Sequence, residues 1–131
     1  MKITHHSEYL KLKQVFIKSA KNAFVSDEYL SEQWESLNYL SRPDFENASE
    51  EYNMFQEYFL NNHIETQNFP FDDTVQIDSI YCRDASIATD FGIIICNMGK
   101  GGRINEPQSH LEFYKQNNIP ILGSIEAPGT L

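Results

Sequence analysis

The sequence predicts an α/β domain assembled from strand–strand–helix–strand modules. Three observations carry that reading. Short β-favouring runs alternate with helical stripes of apolar residues. Two such runs flank Asp90-Phe91-Gly92, a tight-turn signal. From Ala85 to Ser124 the elements fall in the order strand, strand, helix, strand. At 131 residues, with 40% hydrophobic and 13% aromatic content, the chain can build a core of its own. It reads as a single domain over 1–131 or as the amino-terminal portion of a larger one.

Lys11 to Ile17 begins with alternation and ends in Val-Phe-Ile, which predicts a first strand. Ser19 to Ala23 reads as a loop or short turn. Ser26-Asp27-Glu28 supplies an N-cap and first-turn acids that suit the helix dipole. Leu30, Trp34, Leu37 and Leu40 then form one stripe of a helix over 27–40. Ser41-Arg-Pro-Asp44 breaks it and restarts another, with Ser41 as cap, Pro43 in the first turn and Asp44 in the capping-box position. Phe45, Ala48, Tyr52, Phe55 and Phe59 extend that helix to about residue 62 as a core stripe. Glu46, Glu50 and Glu51 read as its solvated face.

Ile64 to Phe69 is a second strand closed by Pro70, and 71–77 is a connecting loop. Strands over 85–89 and 92–96 follow. Asn105 to Gln108 has cap-box spacing and opens a helix through Leu111 and Tyr114 to about Gln116. Ile119 to Leu122 leads into the last strand. The earlier strand–helices–strand order suggests a diverged relative of the 85–124 unit.

Ten basic against nineteen acidic residues give a formal net charge of −9. That sign repels nucleic-acid phosphates and anionic lipid heads, so neither is the expected partner; it tolerates a cationic small molecule. Cys82 and Cys96 sit in apolar runs and read as reduced, buried thiols. The opening Met1 to His6 is polar, and Ile93 to Cys96 is too short to cross a bilayer. The cytoplasm is therefore the expected compartment.

The chemistry-bearing residues cluster in two stretches. Asp78 and Asp84 lie six residues apart around Ile-Tyr-Cys. An extended run would put both carboxylates on one face, and a short loop could also make them converge. Carboxylates match a guanidinium because its N–H groups form a fixed fork. Alternatively the pair could attract a hard cation, but the oxygens of a calcium loop are missing. His5, His6 and His63 show no zinc pattern. Gly99-Lys-Gly-Gly102 lacks the closing Lys-Ser/Thr of a phosphate loop and reads as a turn that carries Arg103 to a helix start. Arg103 can grip a ligand carboxylate, or pair with Glu106. No cofactor is expected.

These residues resemble motifs of the guanidino-group-modifying superfamily, the penteins, in its amidinotransferase and dimethylarginine dimethylaminohydrolase branches. The likeness rests on Asp78-Ser-Ile-Tyr-Cys-Arg-Asp84, Met98-Gly-Lys-Gly-Gly-Arg103 with Glu106, Ala127-Pro-Gly-Thr-Leu131, and the opening Glu8 to Val15. Leu10 departs from the glycine often found after Glu-Tyr, and Cys82 fills a variable position.

The resemblance implies a pentein-type α/β propeller, of which this chain would form the amino-terminal part. It implies that Asp78 is a substrate-pocket carboxylate, that Asp84 contacts the substrate guanidinium and that Arg103 contacts the substrate carboxylate. It also implies a cysteine nucleophile and a histidine acid/base from later segments, positions that neither Cys82 nor His110 matches. The expected activity is hydrolysis of, or amidino transfer from, arginine or an arginine-like compound. A noncatalytic binding or structural domain that keeps the fold is the alternative. A partial propeller leaves strand edges uncovered, so self-association or packing against further sequence is expected.

Overall fold

A computed structural model describes residues 6–7 and 9–130. His5, Glu8 and Leu131, named above, lie outside the described residues. The architecture is mixed α/β, with a two-stranded and a three-stranded sheet.

The first strand, β1 (Gln14–Ile17), is shorter than the apolar pattern predicts and pairs in parallel with β2 (Glu65–Asn68). Between them, Ser19 caps a single helical turn, α1 (Ala20–Ala23), where a loop or turn was expected. Ser26 caps α2 (Asp27–Gln33), accepting a hydrogen bond from the Tyr29 amide. This helix ends earlier than its apolar stripe suggests. Asn38 takes a positive φ of 66°, and the Tyr39 amide reaches back to the Trp34 carbonyl. That is the left-handed termination that asparagine tolerates.

α3 (Phe45–Asn61) starts at Asp44, whose side chain accepts from the Asn47 amide. Ser41 is thus not the cap, and Pro43 stands before the helix instead of inside its first turn. A proline followed by an aspartate in extended geometry makes Asp44 the better-placed acceptor. The helix buries Phe59 and packs Phe45, Ala48 and Tyr52 on the core, while Phe55 stays about half exposed.

The second unit matches the predicted order. β3 (Ser86–Thr89) and β4 (Gly92–Ile95) form an antiparallel hairpin around Asp90-Phe91. α4 (Glu106–Gln116) returns the chain to β5 (Ile121–Ser124), parallel to β4, giving the sheet order β3-β4-β5. Gly92 has a φ of 137°, and a Cβ there would lie 2.8 Å from the Pro120 carbonyl oxygen. Only glycine allows β5 to approach β4 so closely.

Two apolar clusters hold these elements. One gathers Ala20, Phe24, Leu30, Leu37 and Ile77 beneath the helices. The other brings Phe69, Ile93, Ile95 and Tyr114 together with Phe16, joining the two sheets. Leu30 and Ile77 are fully buried, each worth roughly 1.5–3 kcal/mol by transfer from water. Among the described residues neither sheet closes on itself. No helix among the described residues is long and apolar enough to cross a membrane.

Candidate functional site

The run from Asp78 to Asp84 is not extended. Ile77–Ile80 forms a 3-10 turn, and the chain bends again before β3. The same-face arrangement of Asp78 and Asp84 along a strand is therefore not realised. Each carboxylate is met instead by a cation from the loop before α4, where Gly101–Arg103 forms another 3-10 turn. A Cβ at Gly102 would stand 2.5 Å from Leu37 Cδ2, so the glycine lets the turn pack directly against that side chain.

Lys100 and Arg103, three residues apart, reach the two acids. Lys100 Nζ donates to Asp78 Oδ2 at 2.5 Å and to the Leu37 carbonyl at 2.8 Å. Asp78 is buried, its side chain only 4% exposed, so it anchors the loop and presents little to a ligand. Arg103 Nη1 and Nη2 each donate to an oxygen of Asp84 at 2.7 Å, a paired fork. Its Nε donates to Glu106 Oε2 at 2.9 Å, and Nη2 donates to Glu106 Oε1 at 2.7 Å and to the Tyr81 carbonyl at 2.8 Å. The fork expected to grip a ligand carboxylate is thus spent on Asp84. Nη1 keeps a second hydrogen beyond the one given to that residue.

Glu106 opens α4, yet Asn105 does not cap it with its side chain. The Asn105 amide donates to the Thr74 carbonyl instead, which corrects the expected capping box. Pro107 does occupy the first turn. Glu106 is 1% exposed, whereas the Asp84 side chain is 31% exposed. Burial pushes the Asp84 carboxyl up, but the hydrogen bonds and charge of Arg103 outweigh it and hold the group below the usual carboxylate range. Burial raises Glu106, with Arg103 pulling the other way. Both Glu106 oxygens accept from the guanidinium, an arrangement that fits the ionised form. Arg103 loses hydration by burial, yet its two carboxylates raise it above its ordinary value.

A second polar group lies nearby, and no spacing signal in the sequence marked it. Ser86 Oγ stands 2.9 Å from His110 Nδ1 and 2.8 Å from the Tyr114 hydroxyl. His110 stacks on Phe69 with ring centroids 4.0 Å apart. Desolvation, then the charges of Lys18 and Arg103, push the imidazole down to about 3. It is a neutral core histidine. The Cys82 thiol faces the Phe16 carbonyl at 3.7 Å, and burial raises both it and Cys96. Neither is disulfide-bonded. A cavity of about 880 Å³ lies against Phe16, Phe69, Cys82, Arg83, Ser86 and Tyr114, with Asp84 outside its wall. Among the described residues no group of three or more His, Cys, Asp or Glu side chains is arranged to hold a metal ion.

No family model matches the chain, and no curated protein matches it. Solved structures do, and they define the fold as that of the dimethylarginine dimethylaminohydrolases, the pentein branch to which the motifs pointed. One is the adduct of a histidine-to-glycine variant with S-methyl-L-thiocitrulline. It shares 24% identity and a TM-score of 0.67 over 92% of this chain and 44% of its own. Another is the enzyme's adduct with 4-chloro-2-hydroxymethylpyridine, at 22% identity and a TM-score of 0.66 over 91% of this chain and 42% of its own. A third is the Pseudomonas aeruginosa enzyme, a cysteine-to-serine mutant complexed with citrulline. It shares 23% identity and a TM-score of 0.67 over 92% of this chain and 44% of its own. The chain therefore spans less than half the length of the structures it matches.

Proposed function

We propose that this chain carries the guanidinium-recognising part of a guanidino-group hydrolase or amidinotransferase, with Asp84 as the carboxylate that receives the cation. One observation supports this above the others. Asp84 already holds a guanidinium, that of Arg103, in a paired fork at 2.7 Å, and about a third of its side chain remains open to solvent. Each carboxylate oxygen has a second lone pair, so a ligand guanidinium can share the carboxylate with Arg103. The fold it shares with structures bound to citrulline and S-methyl-L-thiocitrulline agrees with a ligand of this shape.

In this reading the chain supplies two modules of a propeller. Asp84 orients the planar cation and balances charge as its central carbon is attacked. A cysteine nucleophile would form the amidino–enzyme bond, and a histidine would move protons to the departing amine and from the attacking water or acceptor. Cys82 and His110 are not given those roles, since one is a raised thiol and the other a neutral core imidazole. Asp78 steadies the loop through Lys100, and Arg103 steadies Asp84.

The absence of a paired cysteine and histidine among the described residues also keeps a noncatalytic cation-binding domain in view. Calorimetric titration with L-arginine tests what the two readings share. Wild type should bind, and Asp84→Asn should lose about 2–5 kcal/mol of binding free energy while remaining folded. Unchanged affinity in Asp84→Asn would remove Asp84 from the site. Trapping of a covalent amidino adduct on a cysteine would then decide for catalysis.

A further inference from the structure

The two carboxylates around Arg103 stand in different surroundings. Glu106 is sealed at 1% exposure and takes two bonds from the guanidinium, whereas Asp84 takes two bonds but opens to solvent. One cation between two anions leaves the cluster with a single negative charge. Around it, Lys100 pairs with Asp78, and buried Lys18 acts first on Asp72 and then on Glu106. His110 is neutral, and exposed Arg83 is the weakest of the charges acting on Asp84, screened by water and salt.

We infer that Glu106 is a specificity-determining residue: by balancing Arg103 from inside the fold, it leaves the charge of Asp84 available and makes the site select a cationic guanidinium over a neutral urea of the same shape. The inference rests on the reading of Asp84 as the receptor. Without Glu106, Arg103 and Asp84 cancel, and the geometry of the fork survives while its attraction for a cation does not. Position reinforces the assignment. Glu106 lies in the first turn of α4, where the helix dipole favours an anion, and both its oxygens accept from the Arg103 guanidinium, which counters the burial that raises it.

L-arginine and L-citrulline share a backbone and differ in a charged =NH₂⁺ donor against a neutral =O acceptor; the donor change is common to every variant, so the change in their affinity ratio from wild type to variant reads the charge. Calorimetry on the whole chain should show wild type preferring arginine. In Glu106→Gln, which keeps the shape and one acceptor oxygen, arginine affinity should fall about tenfold or more while citrulline stays within about twofold. Should that variant not fold, the double variant Arg103→Met with Glu106→Met removes the buried pair together and restores the single negative charge. It should keep the arginine preference even if both affinities drop. An unchanged ratio in Glu106→Gln overturns the inference, as does a lost preference in the double variant or a wild type indifferent to charge. In those cases binding itself still supports Asp84 as receptor. Wild type that binds neither compound overturns both.

Discussion

Arg103 spends its guanidinium inside the protein, and that governs what its removal would do. Arg103→Ala leaves Asp84 and the sealed Glu106 facing each other without a cation. Breaking a buried pair from one side costs about 3–5 kcal/mol, so chemical denaturation should show a large loss of stability. Arg103→Lys should recover only part of it, because an ammonium cannot supply both forks. A loss within error of zero for Arg103→Ala would mean that the cluster is not formed in solution. His110 makes a second prediction, with a sign that can be worked out. Its folded value is pushed from 6.5 to about 3, so between those limits the unfolded chain binds a proton that the folded chain refuses. Stability should therefore fall as pH drops below 6.5, by up to about 1.4 kcal/mol per pH unit. Denaturation curves on either side of that pH should show the slope in wild type and a flatter one in His110→Gln.

Among the elements, the β4–β5 contact is the most sensitive to a single atom. Gly92→Ala adds a Cβ against backbone and asks alanine to adopt a φ of 137°. A loss of order 1–3 kcal/mol or more in thermal or denaturant unfolding is expected, and a neutral result would show that β5 can shift away from Gly92. Much at this level was readable beforehand. The hairpin at Asp90-Phe91, the α4 span and the return to a last strand follow from turn residues and apolar periodicity, whereas the parallel pairing of that strand with β4 is seen only in the structure. What periodicity does not carry is the choice among competing local hydrogen bonds. Ser41 was the expected cap with Asp44 as its capping-box partner, and Asn105 had its own capping partner in sequence. Tertiary contacts decided, sending the Asn105 amide to Thr74 and the Glu106 carboxylate to Arg103. The site divided in the same way. Asp84, Arg103 and Glu106 could be picked out one by one, but their fork depends on two loops meeting, which no spacing rule states. Asp78 and Asp84 showed even spacing, yet the 3-10 turn at Ile77–Ile80 sends them to separate cations.

For the molecule as a whole, two open sheets and an incompletely covered helix leave apolar surface to be explained. Met54 and Tyr58 on α3 are 63% and 64% exposed, and Phe55 lies between them in sequence at 48%. With strand edges also unpaired among the described residues, we expect the chain to self-associate or to pack against further sequence. Light scattering over a wide concentration range should show mass rising with concentration, and Tyr58→Lys should reduce the rise. A constant monomer mass would argue that the exposed surface is tolerated as it stands.

Lys100 gives the protein a built-in optical probe. Its ammonium joins Asp78 to the Leu37 carbonyl, and Leu37 shares its apolar cluster with Trp34, the sole tryptophan. Indole emission depends on how wet and how mobile the ring's surroundings are. Disturbing the glycine-marked loop should therefore be visible from across the fold, with no label attached. In Lys100→Met the Trp34 emission maximum should move to longer wavelength and become easier to quench with iodide. Ligand binding at Asp84 should shift it in the opposite sense by tightening the same loop. A spectrum that ignores both changes would mean that the Lys100 tie to the Leu37 carbonyl does not pass loop movement on to Trp34.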